Sequence, residues 1–160
     1  IFHILTRFNP GFKKKMYEAI EFNILPKEIE LPEDIREYRI SNPDVSRWDS
    51  YATFTIDGKP QNCTMIIYAN RPYTVGKFYQ YINVGLIPLD KAFKPVRENG
   101  KTVIYPLQKA ADFFDKVGRN TGYVIDPEEV MANNFAIAML NNPNVKTPGL
   151  QKKVQELLKK

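Results

Sequence analysis

Apolar positions along the chain change period twice. Ile1 to Phe8 is apolar and reads as the end of a helix. Asn9-Pro10 restarts the chain, since Asn is a good N-cap and Pro suits the first helical position. Phe12, Met16, Tyr17 and Ile20 then recur at helical spacing, with Lys13, Lys14 and Lys15 on the opposite arc, which predicts a helix ending near Phe22. Residues 23–50 carry Pro26, Pro32 and Pro43 among short charged runs and read as an ordered but irregular connection. The period then becomes that of strands. Tyr51–Ile56 is β-branched and aromatic, Asp57-Gly58 is a turn pair, and Thr64–Ala69 answers as a second strand. The connection from Asp57 to Cys63 reads as longer than a two-residue loop. Phe78–Leu89 reads as a short helix leading into a strand, and Lys101–Tyr105 as a brief strand after the Asn99-Gly100 turn.

The last third is helical again. Leu107, Ala110, Ala111, Phe114 and Val117 predict one helix face that ends at Gly118. After an extended piece at Tyr123–Ile125, Asp126 caps a helix that runs to about Leu140, and Thr147-Pro148 opens the last one. No repeat or linker divides the chain. The expected architecture is one α+β domain over residues 1–160, with terminal helices packed together around a central antiparallel hairpin region.

Composition narrows the class. A chain of 160 residues with 43% hydrophobic and 26% charged content is an ordinary globular domain, neither disordered nor fibrous. The single cysteine, Cys63, excludes an internal disulfide and Cys-rich zinc modules, and reads as a buried thiol. No stretch approaches a membrane span. The net charge of +5 is concentrated in the last fifteen residues, and no Arg-rich stripe accompanies it, so nucleic acid is not an expected partner. Ile1 is not Met and the chain opens directly on structured apolar sequence, so it reads as cut. Localisation and oligomeric state are therefore left open.

Candidate chemistry is sparse. There is no nucleophile elbow, phosphate loop or dinucleotide fingerprint. His3 is the one imidazole, and a lone His beside an apolar helix is commonly structural. A Cys63–His3 couple is not expected, because no helix N-terminus lowers the thiol pKa. Glu129 and Asn133 stand four apart on one helix face. Asp126 with Glu129 three later is also a capping-box pattern, in which Glu129 would only bond the Asp126 N–H.

Two segments carry a resemblance: Ile1-Phe2-His3-Ile4-Leu5-Thr6-Arg7-Phe8-Asn9-Pro10, and Thr121-Gly122-Tyr123-Val124-Ile125-Asp126-Pro127-Glu128-Glu129-Val130-Met131-Ala132-Asn133-Asn134-Phe135. They resemble a bacterial zincin-like metallopeptidase family of gluzincin type. Its members read H-E-x-x-H-x-L-T-R-x-N-P early and G-Y-I-I-H-P-E-E-I-L-A-D-N-F late. The likeness extends loosely through Ile40–Asp44 and the Asp57-Gly58 hairpin.

The resemblance implies a zincin-like fold and a Zn2+ site in which His3 is the second His of H-E-x-x-H and Glu129 the third ligand. Two His at i and i+4 with a carboxylate from a second helix leave an open position for water, and the Glu after the first His would be the general base. That first His and that Glu would immediately precede Ile1. The chain as given is thus expected to be inactive, while the intact protein would hydrolyse peptide bonds of a peptide or protein substrate. The competing reading is a non-catalytic interaction domain on a zincin scaffold.

The family's Asp four after the ligand Glu is Asn133 here, expected to turn its side-chain oxygen toward the His3 imidazole. On that basis Asn133→Asp should tighten zinc, with Asn134 as a neutral control. Asp126 stands where the family has a His, with no role attached. Tyr123 is a candidate transition-state donor, its alternative being a packing aromatic at a strand end.

Overall fold

The computed structural model describes residues 1–159. It is mixed α and β, with six α-helices among the described residues and an antiparallel sheet. Helices α1 (Phe2–Phe8) and α2 (Pro10–Ala19) meet at Asn9, whose side chain accepts a hydrogen bond from the Phe12 N–H at 2.9 Å. Helix α2 ends three residues earlier than the apolar spacing predicts, because Glu21 takes a positive φ of 60° and turns the chain into β1 (Asn23–Ile24). Lys13 does not join Lys14 and Lys15 in solvent. It is buried, its ammonium 3.1 Å from an Asp49 carboxylate oxygen.

The sheet runs in the order β1-β2-β3-β4-β7, with β2 at Ser50–Ile56, β3 at Lys59–Ala69, β4 at Ile82–Pro88 and β7 at Tyr105–Pro106. The β2–β3 connection is shorter than the sequence suggests. Ile56 pairs with Lys59, so Asp57-Gly58 is itself a two-residue turn, with φ of 49° and 76° at its two positions. Both positive values suit the type I′ geometry that matches strand twist. Pro60 and the polar Gln61 and Asn62 hide this strand from a hydrophobicity reading, although Pro60 sits in it opposite Thr55. The expected strand at Lys101–Tyr105 is divided. β6 (Lys101–Thr102) pairs with β5 (Arg97–Glu98) in a separate ribbon, and only Tyr105 and Pro106 reach β4.

Both faces of the sheet are covered. Ala52, Phe54, Cys63, Met65 and Leu86 face the helix layer and pack with Phe2, Met16, Tyr17, Phe113, Val130, Met131 and Val154. The alternate positions Ile66 and Ile87 meet Ile29, Ile35 and Trp48 from the irregular segment on the other side. This period-2 division is what gives β3 its nearly continuous apolar run. The irregular segment, which includes the short helix α3 (Glu33–Arg36), is pinned to the sheet. The Trp48 indole N–H donates to the Met65 carbonyl at 2.9 Å. Beyond the end of β2, Ile40 N–H donates to Ile67 O at 2.9 Å and Ala69 N–H to Tyr38 O at 2.7 Å. Residues 38–40 thus occupy the edge of β3 that β2 has left, and they aim the following loop at the helix layer.

The predicted helix from Leu107 to Val117 is interrupted. A 3-10 turn at Leu107–Lys109 precedes α4 (Phe113–Val117), and Phe113 rather than Phe114 is the core residue. Gly118, with φ 74°, closes α4 as expected. Tyr123–Ile125 joins no strand and leads through the extended N-cap Asp126 into α5 (Pro127–Met139). The last helix is α6 (Pro148–Leu158). Thr147 stands at its N-cap position, but its hydroxyl accepts the Arg119 N–H at 2.9 Å instead of capping the helix. Lys153, part of the basic terminus, donates to the Ala19 carbonyl at 3.1 Å and so serves the C-terminal end of α2. Among the described residues, no helix is long and apolar enough to cross a membrane.

Candidate metal centre

Three elements converge at the start of α5. His3 and Thr6 project from one face of α1, Tyr17 comes from α2, and the loop after residue 40 supplies Asn42 and Asp44. At the helix start, Asp126 accepts the Glu129 N–H at 2.9 Å as a side-chain N-cap. The reciprocal arm of a capping box is not made. The Glu129 carboxylate takes a hydrogen bond from the Asn42 amide at 3.0 Å, and its Oε1 lies 4.0 Å from Nε2 of His3. A carboxylate needed only for capping would have bent back to Asp126.

Beneath the imidazole sits Glu128, 2% exposed. Its Oε1 lies 3.0 Å from Nδ1 of His3 and accepts from the Thr6 hydroxyl at 2.5 Å, while its Oε2 accepts from the Tyr17 hydroxyl at 2.8 Å. A carboxylate with three donors aimed at it is the arrangement that makes burial of this group tolerable. A carboxylate only accepts, so the contact assigns a hydrogen to Nδ1 and leaves Nε2 directed outward. Burial, followed by the charge of Glu128 and the hydrogen bond to it, pushes the Tyr17 phenol well above its ordinary pKa, so it remains a donor.

Nε2 faces a second carboxylate as well, Oδ2 of Asp44 at 3.8 Å. One ligand atom each from His3, Asp44 and Glu129 lies within 4.8 Å of the others. Asn42 fixes this corner. Its Oδ1 accepts the Asp44 N–H at 3.1 Å, and its amide donates to Asp126 Oδ2 at 2.8 Å and to Glu129. Arg7 ties the same loop to α1 through the Pro43 carbonyl at 3.0 Å. Burial raises the pKa of Asp126, and the negative charges of Glu129 and Glu128 add to that. The hydrogen bonds from Asn42 and the Glu129 N–H offset only part of the rise.

The donor chemistry suits a borderline divalent ion. Zinc takes His nitrogen and carboxylate oxygen at roughly 2.0–2.2 Å in a tetrahedron, which requires ligand atoms about 3.4 Å apart. The separations from Nε2 exceed this by about half an ångström, within reach of side-chain adjustment around a bound ion. Carboxylate support behind a ligating His is also a recurrent feature of zinc sites.

The sequence-predicted residues fall unequally. His3 and Glu129 come together across 126 positions of chain. Asn133 does not reach the imidazole. Its amide donates to the Glu129 carbonyl at 3.0 Å, and the Nδ1 place is taken by Glu128. Tyr123 is half exposed beside the centre, its phenol pKa raised by partial burial and then by the negative charges of Glu129 and Asp126. Cys63 is buried among strands, and that burial pushes its thiol up to about 12.

Glu128, Thr6, Tyr17, Asn42 and Asp44 escaped the sequence reading. For Glu128 a signal existed. It shares a helical stripe with Met131 and Phe135, a core-facing arc on which a carboxylate requires donors from elsewhere. Comparison with known protein families, with characterised proteins and with solved structures finds no match to this chain.

Proposed function

We propose that this chain carries part of the zinc centre of a zincin-like metallopeptidase, with His3 and Glu129 as ligands. The observation that carries the reading is the His3 imidazole, held at Nδ1 by buried Glu128 and presenting Nε2 to Glu129 and Asp44. On this reading α1 continues one turn upstream of Ile1, where a His four before His3 would share its helix face and a Glu between them would be the general base. A zinc ion so held would lower the pKa of a bound water and polarise a peptide carbonyl. Asn42 orients Glu129, and the protonated phenol of Tyr123 supplies a hydrogen-bond donor at the rim.

A second reading rests on Asp44. With an upstream His, the set His, His3, Glu129 and Asp44 would fill four positions, and a zinc site without an open position is structural. The Asp44 side chain is 46% exposed against 12% for Glu129, so it is the less enclosed of the two carboxylates, which favours the open site. The test is zinc titration and peptide hydrolysis with the protein extended through its natural upstream residues, as wild type and as Asp44→Ala. An open catalytic site predicts near-wild-type zinc affinity and retained hydrolysis in the variant. A closed structural site predicts a large loss of affinity and no hydrolysis in either. An upstream pair other than His-Glu removes the enzyme reading.

A further inference from the structure

A cleft of about 370 Å³ opens beside the metal centre. Half-buried Ile40, Ile82 and Ile125 surround buried Ile67, and Phe78, Tyr79 and Tyr123 stand at the margin, 51%, 83% and 50% exposed. No charged side chain lines it. An opening that leaves three large aromatics to solvent and encloses four isoleucines is costly in water unless something apolar fills it.

The cleft is continuous with the centre. Asn42 lines it and also donates to Glu129. Pro43 and Ile125 line it and directly precede Asp44 and Asp126 in the chain. An atom held at the metal corner therefore has its neighbouring groups over this cleft. Its volume lies at the small end of the range for ligand sites, about 300–1,000 Å³. That is room for one bulky side chain with its flanking backbone, not for a folded partner.

We propose that this cleft is the subsite that seats a bulky apolar side chain, aliphatic or aromatic, of a peptide substrate next to the scissile bond. The proposal rests on the peptidase reading and adds the substrate class to it. Acidic side chains are disfavoured by the apolar lining, which offers a carboxylate no cationic partner. Burial of a large apolar side chain there supports a preference of about 10-fold or more over alanine.

Two measurements on the full-length protein test it. The δ-methyl resonances of Ile40, Ile82 and Ile125 report binding without any turnover. N-acetyl-phenylalanine amide and N-acetyl-leucine amide are expected to shift them, N-acetyl-glutamate amide to leave them unchanged, and Ile82→Trp to abolish the response. Ile40→Trp repeats the block from another wall should Ile82→Trp fail to fold. Equal responses to all three amides, or none, overturn the proposal. Cleavage-site mapping on a mixed peptide library is the second arm. Enrichment of bulky apolar residues at one position beside the cut, lost in the Trp variant while alanine peptides are still cleaved, supports it. Cleavage without such enrichment overturns the subsite and leaves the peptidase reading standing. Methyl shifts without cleavage of any peptide support the apolar pocket and overturn the peptidase reading.

Discussion

Nδ1 of His3 lies 3.0 Å from Oε1 of Glu128, across 125 positions of sequence, and the carboxylate it meets is almost wholly buried. Few arrangements justify enclosing a carboxylate in a helix layer. Here it sets the tautomer of the only imidazole in the chain and directs Nε2 toward Glu129 and Asp44.

Glu128 is accordingly expected to govern metal affinity. Glu128→Gln keeps the shape and an acceptor oxygen but removes the charge behind the imidazole. Zinc affinity should fall about 10- to 100-fold, the scale found when the support of a ligating His is altered. His3→Ala should abolish tight binding. Calorimetric titration of both variants checks this: unchanged affinity in Glu128→Gln would show that the buried charge does not govern the site, and unchanged affinity in His3→Ala that the imidazole is not a ligand.

Tyr17→Phe probes the same carboxylate from below. The change leaves Oε2 of Glu128 without its donor in a site closed to water. A cost of about 1–3 kcal/mol in unfolding free energy is expected, the penalty for a buried polar atom left unpaired. Combined with Glu128→Gln, the loss should be smaller than the sum of the two single changes, because both remove one interaction. Additive losses in urea unfolding would separate Tyr17 from Glu128 energetically.

How far the sequence discloses this centre depends on what each residue must satisfy. His3 and Glu129 are legible through two short motifs, and α2 and α5 through Asn9-Pro10 and Asp126-Pro127 at their starts. The strand pair β2–β3 is legible through β-branched runs and Asp57-Gly58, but Pro60, Gln61 and Asn62 conceal its true length. Asn42 and Asp44 are not legible. Their positions follow from residues 38–40 pairing with the end of β3, a long-range contact that no local pattern encodes. Phe113 replaces Phe114 in the core because a 3-10 turn shifts the helical phase by an amount that periodicity from Leu107 does not foresee.

Asp112 makes a pH-dependent tie between β2 and α4. Burial alone would raise its pKa. The hydrogen bonds from the Thr55 N–H at 2.8 Å and the Thr55 hydroxyl at 3.1 Å, with Lys116 nearby, outweigh burial and hold it below the ordinary carboxylate range. A carboxyl whose pKa is depressed by folding adds stability above its unfolded value, near 3.9, and loses it as pH falls through the folded value. Asp112→Ala should therefore cost about 1 kcal/mol at pH 7. The gap to wild type should close as pH drops below about 4. Urea titrations at pH 7 and pH 3 measure both; a gap that persists undiminished at pH 3 would assign it to packing rather than to the charge.

Asn133 and Asn134 reverse the roles their sequence spacing suggests. Asn133 is half buried and donates along its own helix to the Glu129 carbonyl, so Asn133→Asp changes nothing that touches the imidazole. Its zinc affinity should stay near wild type, with stability altered by about 0.5 kcal/mol or less. Asn134 is fully buried. Its amide donates to the Val130 carbonyl at 2.8 Å, and its oxygen accepts from Asn120 at 3.1 Å. Asn120 in turn accepts the Thr147 N–H at 2.6 Å and donates to the Thr147 carbonyl, joining the loop before α5 to the start of α6. Asn134→Asp sets a carboxylate oxygen against the Val130 carbonyl oxygen and places a charge in a fully buried position whose hydrogen-bond partners are neutral. A loss of about 3 kcal/mol is expected, the scale of an uncompensated buried charge. The loss should shrink as the pH is lowered and the new carboxyl takes up a proton, because burial raises its pKa and its protonated form can donate to Val130. Thermal unfolding of the two variants at pH 7 and pH 4 distinguishes them. Equal melting temperatures at pH 7 would mean that Asn134 is not enclosed, and tighter zinc binding by Asn133→Asp would return to that residue the place held here by Glu128.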